Sequence, residues 1–267
     1  MPGQTRDLSR ALATETFGSG ERIVLIHGFT QTGRSWAEQV HALSEHFEVV
    51  TVDLPGHGRS ADVEVADLDD AGRLLVEAVG EATYVGYSMG GRVALHAAFH
   101  FPESVRTMVL AGVSPGIADE KERIERRRAD EALAGRLDGS AGTPISLAQF
   151  LDEWLAQPLF ASLAPEARGR AAREENTTTG LARALRRLGT GTQVYDVERL
   201  RRLEMPVFIV AGEHDAKFRA LGEEMAAVIG KNAATSTVPS AGHAWPFERP
   251  TKLATAVMGF VLLQHHA

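Results

Sequence analysis

The chain has 267 residues, of which 44% are hydrophobic and 24% charged, a formal net charge of −7 and no cysteine. That length and composition fit one large globular α/β domain, or a domain carrying an insertion, with room for a sizeable core. The acidic balance argues against non-specific nucleic-acid binding, and the absence of cysteine excludes disulfides, thiolate metal sites and a catalytic thiol.

Taken in chain order, the first twenty residues lack the apolar core of a signal peptide. No later run approaches the roughly 18 apolar residues of a membrane span. A cytoplasmic protein with no membrane partner is expected. Six β-branched runs follow at 22–28, 47–56, 82–88, 105–116, 205–215 and 234–243. Most end in glycine, proline or a polar residue, where a buried strand would emerge into a loop. Between them, SWAEQVHALSEHF and DLDDAGRLLVEAVG space their apolar residues by three and four, as helices covering a sheet do. Such alternation predicts an α/β fold with a mostly parallel, doubly wound sheet, whose ligands bind at the carboxyl ends of the strands.

The alternation breaks between about Ile117 and Leu203, where the chain is charged, helix-prone and without strand-like runs. We read 1–116 and 204–267 as two parts of one core and 117–203 as a helical cap inserted between them. Residues 118–190 hold 12 basic and 12 acidic residues, so the whole net charge of −7 belongs to the rest of the chain. Arginines in such a neutral lid either face a ligand or lie on solvated helix faces in i,i+4 pairs.

Gly86-Tyr87-Ser88-Met89-Gly90 matches G-x-S-x-G between a predicted strand and a predicted helix. A tight strand-to-helix turn leaves no room for side chains at the glycine positions. It holds the serine out at a helix N-terminus, where free N–H groups favour negative charge. The elbow serine needs an acid and then a histidine later in the chain. Asp215 ends the run FIVAGEHD and is the expected acid, since its competitor Glu213 lies two residues nearer the strand and should point elsewhere; His243 follows the last strand-like run. His27 and His57 sit in glycine-rich turns and brace loops, while His96 and His100 belong to the elbow helix. An oxyanion hole should come from the backbone N–H groups of Met89 and Phe29.

LIHGF, DLPGHGRS, GYSMGG, GEHD and GHA together resemble the α/β-hydrolase superfamily over nearly the full length. More narrowly, several stretches resemble the 2-succinyl-6-hydroxy-2,4-cyclohexadiene-1-carboxylate synthases of menaquinone biosynthesis. These are HGFTQTGRSW, GYSMGGR, GVSPGI, ERIERRRAD, FLDEWLAQPLFASL, ENTTTGLARALRRLGTGTQ and GEHDAKF. The resemblance implies an α/β-hydrolase fold with a helical cap, and a lyase that eliminates pyruvate with no metal or cofactor. It also implies a serine that takes a ring proton rather than attacking a carbonyl. The substrate is a small-molecule polycarboxylate, and the resemblance matches Arg92, Arg126 and Arg173 to arginines that bind it.

Tyr87 and Trp154 match further pocket positions. Arg92, four residues after Ser88, should lean back along the helix towards the pocket. A structural salt bridge is the competing account of Arg92, and Arg123, Arg127 and Arg128 compete with Arg126. The family often has a second histidine soon after the catalytic one. Here GHAWPFERP follows instead, and Trp245 and Pro246 are expected to alter the pocket. A hydrolase using the same triad, or a ligand-binding protein without catalysis, are the other readings. A dehalogenase is excluded, because position 88 would then be aspartate. A monomer or small homo-oligomer is expected.

Overall fold

The structure, a computed structural model, describes residues 10–264. In chain order the first half runs β1 (Thr14–Phe17), β2 (Arg22–Ile26), α1 (Ala37–Leu43), β3 (Glu48–Val52), α2 (Leu68–Val79), β4 (Ala82–Tyr87), α3 (Met89–His100) and β5 (Val105–Ala111). Next come α4 (Glu120–Asp138), α5 (Leu147–Leu155), α6 (Arg170–Arg173), α7 (Thr178–Leu188) and α8 (Val197–Arg201). The chain then returns through β6 (Val207–Gly212), α9 (Ala216–Ile229), β7 (Ala233–Val238), α10 (Trp245–Glu248) and α11 (Pro250–Gln264). The strands form one sheet in the order β1-β3-β2-β4-β5-β6-β7. Every neighbouring pair is parallel except β1 with β3. All six strand-like runs are strands. The sequence pattern did not mark β1, a four-residue, half-exposed edge strand too short for its alternation to stand out.

The central strands read as continuous aliphatic runs because both faces of the sheet are covered. Val24, Ile26, Tyr84, Met108 and Leu110 face a core with α2 and α3, including Leu74, Leu75 and Leu95. Ile23, Leu25, Val85 and Val109 face a second core with Trp36, Leu43, Trp245 and Val257. Local signals fix the helix ends. The Asp67 carboxylate accepts the Asp70 N–H at 2.9 Å to start α2, which stops at Gly80 with φ +67°.

Between β5 and β6 every regular element of three residues or more is helical. A parallel bridge between Ile117 and Val194 lies near the two ends of that excursion. Its helices make their own small core from Leu137, Phe150, Leu151, Leu181 and Leu185, against which Phe29 of the β2 loop packs. Several of its arginines pair on the surface: Arg136 with Glu153, Arg170 with Asp152 and Glu174, Arg186 with Glu131 and Asp138. Among the described residues, no helix is long and apolar enough to cross a membrane.

Candidate active site

Ser88 lies between the end of β4 and the start of α3 with φ +50° and ψ −111°, a conformation that L-residues adopt only under constraint. The constraint is visible in the neighbouring glycines. A Cβ on Gly86 would stand 2.4 Å from Gly91 Cα, and one on Gly90 would stand 2.3 Å from the Ile26 carbonyl oxygen. The Ser88 N–H donates to the Ala111 carbonyl at 2.9 Å, which ties the elbow to the end of β5.

His243 Nε2 lies 3.3 Å from Ser88 Oγ, and its Nδ1 lies 2.7 Å from Asp215 Oδ2. Asp215 and His243 are both buried. Asp215 follows β6 and caps α9 by accepting the Phe218 N–H at 3.5 Å. Glu213 turns away, with Oε2 accepting the Ser240 N–H at 2.7 Å, as its position nearer the strand predicts. The Phe218 ring covers His243 with centroids 4.3 Å apart. The row Ser88–His243–Asp215 has the geometry of a hydroxyl activated by an oriented imidazole.

The Phe29 and Met89 N–H groups have no protein acceptor among the described residues. Phe29 belongs to a loop that is held on every side. Thr30 adopts φ +69°, its N–H donates to His57 Nε2 at 3.3 Å, and its carbonyl accepts from Asn176 Nδ2 at 2.7 Å. Its hydroxyl accepts from Arg173 Nη1. His27 Nε2 accepts the Leu54 N–H at 3.0 Å. Burial holds His27 down to about 4 and His57 well below its ordinary value, so both rings are neutral braces.

Phe29, Tyr87, Ser88, Met89, Arg92, Arg126, Trp154, Arg173 and His243 all line one cavity, about 680 Å³ when its open mouth is counted. The structure thus brings together every site residue named from the sequence, with Asp215 behind His243. Arg92 is 6% exposed, and among the described residues its guanidinium makes no hydrogen bond or ion pair; Nη1 is fully buried and unpartnered. The structural salt bridge is therefore absent. Burial, reinforced by the nearby charge of Arg126, lowers Arg92 to about 10.

Arg173 is also buried and also lowered to about 10, again by burial. Its Nε donates to the Arg168 carbonyl at 2.8 Å. Arg126 is the member of its run that lines the cavity, whereas Arg123 donates to the Ile117 carbonyl at 3.3 Å. Trp154 packs edge-on to Phe29 at 5.1 Å, and its indole N–H is buried without a partner. Burial raises the Tyr87 phenol.

An alpha/beta hydrolase family match extends over residues 23–256. The chain belongs to the alpha/beta hydrolase family. Within it, the chain is 34% identical over 229 residues to the 2-succinyl-6-hydroxy-2,4-cyclohexadiene-1-carboxylate synthase of Photorhabdus laumondii subsp. laumondii. That similarity covers 83% of this chain and 78% of the relative. The synthase of that name from Salmonella paratyphi B is 34% identical over 238 residues, covering 85% and 88%. The solved structure of MenH from S. aureus superposes with a TM-score of 0.85 and 31% identity, covering 94% of this chain and 98% of that one.

The hydrolase-family core supplies Ser88, Asp215, His243 and Arg92, and the helical excursion supplies Arg126, Trp154 and Arg173. Sequence reasoning missed Phe218, Phe160, Leu188 and Thr190, which also line the cavity. Phe218 had a usable signal: three residues after the acid, it falls in the first turn of a helix starting at the carboxyl edge of the sheet. Thr190 lies in a glycine-flanked turn with no periodicity to read. One expectation is corrected. Neither Trp245 nor Pro246 lines the cavity; Trp245 is fully buried in the second core, with its indole N–H donating to the Val210 carbonyl at 3.3 Å.

Proposed function

We propose that this chain eliminates pyruvate from 2-succinyl-5-enolpyruvyl-6-hydroxy-3-cyclohexene-1-carboxylate, giving 2-succinyl-6-hydroxy-2,4-cyclohexadiene-1-carboxylate for menaquinone biosynthesis. The observation that carries this reading is Arg92, a buried guanidinium with no hydrogen bond or ion pair among the described residues, in the same cavity as Ser88. A buried cation without a partner is costly, and a ligand carboxylate would complete it. Arg126 and Arg173 line the same space, matching a substrate with three carboxylates. An apolar ester would leave Arg92 without a partner.

The chemistry follows from the geometry. His243 Nε2 accepts the Ser88 hydroxyl proton, and Asp215 stabilises the resulting imidazolium. Ser88 Oγ takes the ring proton beside the succinyl carbonyl, and the electron pair moves onto that carbonyl oxygen. The Phe29 and Met89 N–H groups stabilise the enolate. Its collapse forms the 2,3 double bond, shifts the 3,4 double bond to 4,5 and breaks the bond from ring carbon 5 to the enolpyruvyl oxygen. The ring proton restores the Ser88 hydroxyl, and the His243 imidazolium gives up the proton it holds as the released enolate takes one up to become pyruvate, which restores the pair. No water is consumed and no acyl-enzyme forms. The same proposal puts the enzyme in the cytoplasm, as a monomer or small homo-oligomer acting on a free small molecule.

The test supplies freshly generated enolpyruvyl substrate and follows pyruvate, with a nitrophenyl ester run in parallel. Ser88→Ala and His243→Ala should each cut pyruvate release by about 10²–10⁴-fold, the usual share of a positioned base. Fast ester hydrolysis by the wild type without pyruvate would overturn the proposal in favour of a serine hydrolase.

A further inference from the structure

Asp130 is an acidic residue on α4, 6% exposed, and it has no place in the chemistry above. Its two oxygens face in different directions. Oδ1 accepts from Arg126 Nε at 2.9 Å, and Oδ2 accepts the Gly191 N–H at 3.3 Å. The turn that follows α7 is folded tightly round this carboxylate: a Cβ on Gly189 would lie 2.6 Å from Oδ2. Gly189 and Thr190 of that turn line the catalytic cavity, as Arg126 does.

The way Arg126 is held matters. Asp130 takes only its Nε, and among the described residues neither Nη group has a protein partner. A guanidinium gripped at Nε keeps its Nη donors available for a carboxylate, the planar recognition for which arginine is suited. Arg126 is itself 43% exposed at the side chain, so without the grip its long chain would be free to leave the cavity for solvent. Arg92 senses the same carboxylate: Asp130 is the group that opposes the lowering of its basicity.

We infer that Asp130 is a positioning residue that presents the Nη donors of Arg126 to a substrate carboxylate. The inference rests on the proposed polycarboxylate substrate. It makes the affinity contribution of Arg126 conditional on Asp130, which a carboxylate serving the fold alone would not do.

The test is a double-mutant cycle on the full-length protein: wild type, Asp130→Ala, Arg126→Ala and the pair. Binding of propane-1,2,3-tricarboxylate is measured by calorimetry, and pyruvate release by the wild type is followed alongside. Asp130→Ala should weaken binding about tenfold, the lower end of what losing an orienting partner costs. In the Arg126→Ala background, it should weaken binding by less than about twofold. Equal weakening in both backgrounds would make Asp130 merely structural and overturn the inference, as would tighter binding by Asp130→Ala. If the alanine variant does not fold, Asp130→Asn takes its place. It keeps an acceptor but loses the charge, and should weaken binding about threefold, again only with Arg126 present.

The two levels fail separately. Wild-type pyruvate release without tricarboxylate binding sinks the role of Asp130 and leaves the proposed reaction intact. The expected cycle without pyruvate release sinks the reaction and leaves the role of Asp130.

Discussion

Replacing Arg92 with methionine should make the protein more stable and a poorer enzyme. The guanidinium is 6% exposed and makes no hydrogen bond or ion pair among the described residues. Its fall from 12.5 to about 10 corresponds to roughly 3 kcal/mol by which the folded chain disfavours the charged form. The folded value lies below the unfolded one and both lie above neutrality, so this cost is present in full at pH 7 and fades only as pH rises through the folded value. Methionine has a similar reach, carries no charge and packs adaptably. The expected gain is up to about 3 kcal/mol, read as a melting temperature about 2–6 °C higher. The opposite effect falls on catalysis. Losing a charge-assisted hydrogen bond to a substrate carboxylate costs about 1.5–3 kcal/mol, so kcat/KM for pyruvate release should drop about 10- to 150-fold. Thermal unfolding and the pyruvate assay on one preparation decide the matter. A lower melting temperature with unchanged kcat/KM would refute the reasoning and make Arg92 a structural residue.

Gly90→Ala should destabilise the chain by about 1–3 kcal/mol or more and displace the elbow, because the new Cβ would meet the Ile26 and His27 carbonyl oxygens at 2.3 and 2.6 Å. Urea unfolding measures the first effect and pyruvate release the second; wild-type values for both would contradict the packing argument. Stability should also fall in mild acid. His27 is held at about 4 when folded, so the unfolded chain binds its proton first as pH drops below 6.5, at a cost of roughly 3 kcal/mol by the time pH reaches 4. His57, lowered by burial in the same direction, adds to the slope. Urea midpoints between pH 7.5 and 4 should decline, and a flat profile would show that these rings are not buried and neutral.

The sheet was legible because β2 to β6 are mostly buried on both faces; β7, an exposed edge strand, was marked instead by its β-branched run and the loop that follows it. The exposed four-residue strand β1 lacks that pattern, and only its pairing with β3 defines it. Among site residues, Ser88 and His243 could be read from local turns, since a tight elbow and a glycine-flanked loop leave marks in composition. Asp215 could be preferred over Glu213 because Glu213 lies two residues nearer the strand; what the structure adds is the partner of Glu213, the Ser240 N–H. The charge state of the cavity was half legible. A sequence shows how many arginines a segment has, but not which lack a partner. Arg170 and Arg173 are one helical turn apart; the first pairs with Asp152 and Glu174, and the second is buried against Thr30.

That distinction between paired and unpaired cations also explains how an elbow built for nucleophilic attack can act as a base. The position of Ser88 Oγ relative to His243 does not choose between the two roles; what lies about 3 Å from the oxygen does. In the proposed reaction the cavity is charged in advance, with Arg92 and Arg173 buried and Arg126 held at its wall, so a tricarboxylate can dock only with its charged groups among them. Its ring hydrogen, rather than a carbonyl carbon, then faces the serine. The same cations lower the cost of transient negative charge on Ser88 and on the enolate, where the N-terminus of α3 also favours it. The energy lost by burying Arg92 without a partner is therefore recovered when substrate binds, and it selects for a polyanion. A neutral ester would leave Arg92 buried without a partner and would cover Arg126, the one partly exposed guanidinium of the three, with nothing in return.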